Sequence, residues 1–195
     1  MRLRWMEPVE SHAEAQRDRG ADESKKEWVM GREIERKFLV EDGSWRAEAA
    51  GEGTRMRQGY LDTGGGATVR VRLAGGEGFL TVKGPSRGIA RTEYEYRIPA
   101  GDAEEMLNGL CGGRVVEKTR WPVPAGEGGL VWEVDVYGGA NAPLVTAEIE
   151  LPEEGTAFEC PAWLGEEVSG DARYRNCELA VRPVREWGEA EKRAR

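Results

Sequence analysis

From residue 31 to residue 151 the chain is a succession of short segments in which charged and apolar residues alternate with a period of two. That period belongs to a β-strand whose two faces differ in chemistry. The segments are "GREIERKFLV" (31–40), "TRMRQGYLD" (54–62), "ATVRVRLA" (67–74), "GFLTVKG" (78–84), "RTEYEYRI" (91–98), "GRVVEKTRWPV" (113–123), "GLVWEVDVY" (129–137) and "LVTAEIEL" (144–151). Eight strands punctuated by glycines predict an antiparallel sheet or barrel, with "GEGF" and "GEGG" supplying the positive-φ positions of tight turns.

Residues two apart on a strand share a face, about 6.6 Å from each other. Glu33, Glu35 and Lys37 therefore oppose Ile34, Phe38 and Val40, and Arg70 and Arg72 oppose Val69, Val71 and Leu73. Arg91, Glu93, Glu95 and Arg97 oppose Tyr94, Tyr96 and Ile98; Lys118 and Arg120 oppose Val115, Glu117 and Trp121. Glu133 and Asp135 oppose Trp132, Val134 and Val136, and Glu148 and Glu150 oppose Val145, Ala147 and Ile149.

A half-exposed sheet also alternates charge with apolar side chains, and for a single strand that reading prevails. The sorting by sign argues otherwise. Acids gather on the first, seventh and eighth segments, bases on the third and sixth, and Lys83 stands on the fourth. If the apolar faces look outward against helices, the charged rows line an interior that must hold water, ions or a polyionic ligand, because unpaired buried charge is expensive. Clustered carboxylates bind a hard cation such as Mg²⁺ or Mn²⁺, and clustered Arg and Lys bind phosphate oxygens. The expected guest is a compact polyphosphate.

Between the fifth and sixth segments, "PAGDAEEMLNGLCGG" reads as one helix with Asp102 as its N-cap; "SWRAEA" reads as a shorter one. After the eighth segment, "PAWLGEEVSG" and "DARYRNCELAVR" are expected to be helical. Three regions are expected: a flexible polar extension over 1–29, a folded domain over 30–183 and a solvated charged tail over 184–195. Met30 directly precedes the first strand, so residues 1–29 are either a real arm or not part of the native product.

The net charge of −8 argues against duplex DNA or an anionic membrane as a partner. No apolar run reaches the roughly 18 residues of a spanning helix, and the N-terminus lacks the apolar core of a secretory signal. A cytoplasmic location is expected. Cys111, Cys160 and Cys177 show no CxxC spacing and are read as reduced packing residues. The single histidine, His12, lies in the polar leader, so any chemistry falls to carboxylates, lysines or metal-bound water.

Taken together, the segments resemble the CYTH proteins, also called triphosphate tunnel metalloenzymes. The resemblance rests on "EIERK", which carries the ExExK signature as Glu33, Glu35 and Lys37, and on an ordered series covering residues 31 to 181. That series is "QGYL" (58–61), "VRVR" (69–72), "LTVKG" (80–84), "RTEYEYRIP" (91–99), "EKTRW" (117–121), "WEVDVY" (132–137), "AEIEL" (147–151) and "DARYRN" (171–176). It implies a mainly β, α+β fold: a closed eight-stranded antiparallel β-barrel tunnel with flanking helices. Within the family the chain is similar to the small bacterial branch, which hydrolyses inorganic tripolyphosphate to pyrophosphate and phosphate by two-metal activation of water.

By position, the resemblance implies that Glu33, Glu35, Glu148 and Glu150 hold Mg²⁺ or Mn²⁺. Lys37, Arg70, Arg72, Lys83, Lys118 and Arg120 would grip the substrate, with Glu33, Glu35, Lys37 and Lys118 as the catalytic set. Glu93, Glu95, Glu133 and Asp135 either complete a metal shell or pair with neighbouring bases. Other family activities are class IV adenylate cyclase and thiamine triphosphatase; a non-catalytic triphosphate or polyphosphate binding module is the alternative of another class. The oligomeric state is left open, a homodimer included.

Overall fold

The computed structural model describes residues 34–64, 66–84, 92–126, 128–189 and 191. The leader over 1–29, Met30, Glu33 and Arg91 lie outside the described residues. The alternating segments form strands β1 (Ile34–Val40), β2 (Thr54–Leu61), β3 (Thr68–Ala74), β4 (Glu77–Lys83), β5 (Glu93–Ile98), β6 (Val115–Pro124), β7 (Val131–Tyr137) and β8 (Val145–Leu151). Among the described residues a further strand, β9 (Leu164–Glu167), and the α-helices α1 (Ala100–Gly109) and α2 (Asn176–Val181) accompany them. "SWRA" forms a single 3₁₀ turn over Ser44–Ala47.

All nine strands belong to one antiparallel sheet in the order β5-β4-β3-β2-β6-β7-β8-β1-β9. The expected closed eight-stranded barrel is therefore corrected: among the described residues the hydrogen-bonded sheet is open, with β5 and β9 as its edges. The reason lies in "PAWLGEEVSG", which was expected to be helical. Its centre extends instead and pairs with the free side of β1 through Phe38↔Glu167 and Val40↔Leu164, occupying the edge that closure would need. Gly165 permits this approach, since a Cβ there would stand 2.7 Å from Glu41 Oε1 and 3.2 Å from the Leu39 carbonyl oxygen.

The β3–β4 hairpin turns through Gly75 and Gly76, at φ 56° and 87°, one residue before the expected "GEGF". Two consecutive positive φ values suit the two-residue turn whose twist matches the strands it joins.

The apolar rows face outward and are covered there, except on β5, where Tyr94 and Tyr96 stay exposed. Phe38, Trp132, Val134, Ala147 and Ile149 pack with Trp45 and Trp163 on β1, β7 and β8. Trp132 meets Phe38, Phe158 and Trp163 edge-on at centroid distances of 5.6, 5.5 and 5.9 Å, the arrangement the ring quadrupoles favour. Helix α1 covers the other half, setting Ala103, Leu107 and Cys111 against Val71, Leu61, Leu73 and Leu80. Of the cysteines only Cys111 is a buried packing residue; Cys177 is partly exposed and Cys160 exposed, all three being free thiols.

Helix α1 sits close because β2 carries Gly59, where a Cβ would lie 2.5 Å from Cys111 Sγ and 2.9 Å from Leu107 Cδ2. Gly59→Ala is expected to overpack this contact and lower stability by about 1–3 kcal/mol. A urea melt reads the loss, and adding Cys111→Ala should recover part of it.

"DARYRNCELAVR" is helical in two pieces, a 3₁₀ turn over Ala172–Tyr174 and then α2. Asp171 starts the first by accepting from the Arg173 backbone N–H at 3.0 Å. The expected solvated tail also differs: Trp187 is buried with Tyr174, Leu179, Val116, Leu39 and Tyr137. Leu39, Val116 and Tyr137 belong to the charged parity of their strands, so this cluster covers one end of the inner face. No helix among the described residues is long and apolar enough to cross a membrane.

Candidate active site

Directly opposed residues of an antiparallel pair point to the same side of the sheet, so the register decides which charges share a face. Lys37 lies opposite Glu148 and Glu148 opposite Glu133; Arg120 lies opposite Asp135. Further along, Arg72 opposes Gln58, Arg70 opposes Tyr60 and Thr81, and Lys83 opposes Glu93. One face of the sheet thus carries Lys37, Arg70, Arg72, Lys83, Lys118 and Arg120. That face is concave: Tyr60 on β2 feels the charges of Lys37 and Glu148, although β1 stands four places from β2 in the sheet, about 19 Å along a flat surface.

The charges form two groups. In the first, Lys37 Nζ pairs with Glu148 Oε1 at 2.5 Å and donates to the Tyr174 carbonyl at 3.1 Å. Arg120 joins three acids: Nη2 reaches Glu148 Oε2 at 2.5 Å, Nε and Nη2 reach Asp135 at 2.8 and 2.7 Å, and Nη1 pairs with Glu133. Lys118 pairs with Asp135, which has no exposed surface. In the second group, Glu95 accepts from Arg70 at 3.1 Å, from Arg72 at 2.9 Å and from Thr81 Oγ1 at 2.7 Å, and Glu93 pairs with Lys83 at 2.7 Å.

Burial sets the electrostatics. It opposes the charge of Glu148, but Lys37, Lys118 and Arg120 outweigh it and hold that carboxyl far below the usual carboxylate range. Burial likewise opposes the charge of Lys37, and Glu148, Tyr137 and Glu35 reverse the effect, so its ammonium is held more firmly than in water. Lys118 goes the other way. Burial lowers its pKa, Asp135 resists and Arg120 adds to the fall. Burial also raises the phenol of Tyr60, whose oxygen accepts from Gln58 Nε2 at 2.8 Å.

At the β1–β8 end, Glu35 stands directly opposite Glu150, and Glu148 follows on the same face. Among the described residues no three carboxylate, thiol or imidazole groups converge as a cation site, because both oxygens of Glu148 are turned to Lys37 and Arg120. Glu35, Glu148 and Glu150 bring carboxylate oxygens, the donors a hard cation takes, to this end of the face.

The face also carries Glu95 and Asp135, for which a metal shell or pairing with neighbouring bases was expected, and groups outside the expected set, Thr81 and the Tyr174 carbonyl. Glu95 pairs with Arg70 and Arg72, Asp135 pairs with Lys118 and Arg120, and Thr81 bridges Arg70 and Glu95. Glu95 and Asp135 had the right parity; what the sequence lacked was their partners. The Tyr174 carbonyl is a backbone group with no signal in composition or period.

The CYTH domain model matches residues 31–178. The inorganic triphosphatase of Acetivibrio thermocellus is 46% identical over 160 residues, 82% of this chain and 100% of that protein. The inorganic triphosphatase of Nitrosomonas europaea is 42% identical over 155 residues, 76% of this chain and 97% of that protein. Among solved structures, that of the inorganic triphosphatase NE1496 superposes with a TM-score of 0.58 at 38% identity, covering 78% of this chain and 96% of its own. With a family match spanning most of the chain and relatives matched over nearly their whole length, the chain belongs to the CYTH domain family.

Proposed function

We propose that the chain is a metal-dependent triphosphate hydrolase, cleaving inorganic tripolyphosphate to pyrophosphate and phosphate within a charged tunnel formed by the concave face. The observation that carries this reading is the gathering of Lys37, Arg70, Arg72, Lys83, Lys118 and Arg120 on one face, with Glu35, Glu148 and Glu150 at its β1–β8 end. A chain of phosphates is the ligand whose charge density matches such a row. The relatives named inorganic triphosphatase support the choice of substrate.

Glu35, Glu148 and Glu150, with Glu33 of the same motif, would hold Mg²⁺ or Mn²⁺, which supplies charge neutralisation at phosphate oxygens and Lewis-acid activation of water. Arg70, Arg72 and Lys83 bind non-bridging oxygens from one half of the face, and Lys37 and Arg120 from the other. Water attacks a terminal phosphorus, the bridging P–O bond breaks and the electron pair leaves on pyrophosphate, where the arginines stabilise the new charge. Lys118, its proton loosened by burial, holds or moves a proton at Nζ.

The test is phosphate release from tripolyphosphate, ATP, thiamine triphosphate and long-chain polyphosphate, each with Mg²⁺, Mn²⁺ and chelator. Tripolyphosphate should be the best substrate, and chelator should abolish turnover. Cyclic AMP from ATP, faster release from thiamine triphosphate, or calorimetric binding without release would each replace this reading. Arg72→Ala and Lys83→Ala are expected to raise KM about tenfold with kcat changed by a factor of about two or less, the signature of lost uniform binding.

A further inference from the structure

Residues 182–189 and Glu191 fold back over one end of the charged face, beyond the last residue of the family match. Trp187, only 5% exposed, packs edge-on against Tyr174 with ring centroids 5.2 Å apart. Its Nε1 donates to the Arg182 carbonyl at 3.2 Å. Arg173 lies over both rings, 5.7 Å from that of Tyr174 and 5.4 Å from that of Trp187, and donates to the Glu191 carbonyl at 3.3 Å. The Glu191 carboxylate accepts from Arg182 at 2.8 and 2.7 Å and from the Gly188 N–H at 2.9 Å. The segment is closed on itself and fastened to Tyr174.

Tyr174 is where this segment meets the chemistry. Its carbonyl accepts from Lys37 Nζ at 3.1 Å, and Lys37 continues through Glu148 to Arg120. Two residues later, Asn176 Oδ1 accepts from the Tyr137 hydroxyl at 2.9 Å. Lys37 is 7% exposed and cannot exchange a lost carbonyl for bulk water while that end stays covered. A shift of Tyr174 therefore reaches the ammonium directly.

We propose that residues 182–189 and Glu191 are a clasp, with Trp187 as its positioning residue, that fixes the Tyr174 carbonyl and so sets the Lys37 ammonium for the triphosphate. The proposal rests on the triphosphatase reading above. A purely structural clasp would lower the folded fraction, and with it the apparent kcat, while leaving KM and the dissociation constant of the folded molecules unchanged.

Calorimetric titration of the full chain with tripolyphosphate, alongside steady-state kinetics, separates the two. Trp187→Ala is expected to raise both KM and the dissociation constant about tenfold, the size of one hydrogen bond to a charged group, with kcat reduced less than about threefold. Trp187→Phe should recover most of the affinity. Combined with Lys37→Met, Trp187→Ala should weaken binding no further, because the two act through one contact. Should Trp187→Ala fail to fold, Glu191→Gln loosens the clasp from the surface and should show the same non-additivity with Lys37→Met. Unchanged affinity in a folded clasp variant, or effects that add to those of Lys37→Met, overturn the proposal. Absence of phosphate release by the native chain overturns the hydrolase reading instead, and the binding cycle still decides the clasp.

Discussion

Asp135→Ala is expected to lower folding stability by about 3–5 kcal/mol, the usual consequence of removing one partner from a buried ion pair, and to suppress turnover with it. Asp135 has no exposed surface and accepts from Lys118 and twice from Arg120. Without it Lys118 loses the carboxylate it pairs with while Arg120 still presses a second positive charge against it. Denaturant midpoints measure the loss. Adding Lys118→Met to Asp135→Ala should return part of the stability but none of the activity, since a buried pair replaced whole is far less costly than one broken. An Asp135→Ala protein as stable as the native chain would remove Asp135 from this role.

Glu148→Gln is expected to reduce metal-dependent turnover by at least about a hundredfold, the amide being a poor counter-ion for Lys37 and Arg120 and a weak donor to a cation. The same substitution should reshape the acid limb of stability. The Glu148 carboxyl is held far below the usual carboxylate range when folded, so it stabilises the native state above the unfolded value near 4.3. That contribution is lost as pH falls through the folded pKa. Acid unfolding followed by circular dichroism should therefore be shallower in Glu148→Gln than in the native chain. Equal steepness would assign the acid sensitivity to other carboxylates.

The two-faced strands were legible because parity is a property of local sequence: Arg70 and Arg72, or Glu133 and Asp135, cannot leave their face without a register slip. The meaning of the sorting by sign was legible only in part. Bases on β6 lie beside acids on β7, and bases on β3 and β4 lie near acids on β5, so these acidic strands neutralise basic neighbours. Pairing between strands far apart in sequence leaves no trace in either strand alone.

Strand β9 was hidden for a different reason. "LGEE" has neither alternation nor β-branched residues, and it extends because the edge of β1 offers hydrogen bonds and Gly165 lets it come close. Trp187 was hidden by its company, one aromatic in a window of charges whose burial depends on the ring of Tyr174. Closure of the sheet, finally, depends on which strand takes the free side of β1, a contest between β5 and β9 that composition does not decide.

An open sheet has a hazard of its own. Strand β5 is an edge with Tyr94 and Tyr96 exposed on its outer side, a combination that invites another chain to add a strand and begin aggregation. Its opposite side carries Glu93 and Glu95, which point to the concave side and are held there by Lys83, Arg70 and Arg72. A foreign strand docking on β5 would have to bring its own side chains up against those carboxylates. The acids that balance Lys83, Arg70 and Arg72 thus also act as gatekeepers at an exposed border of the molecule.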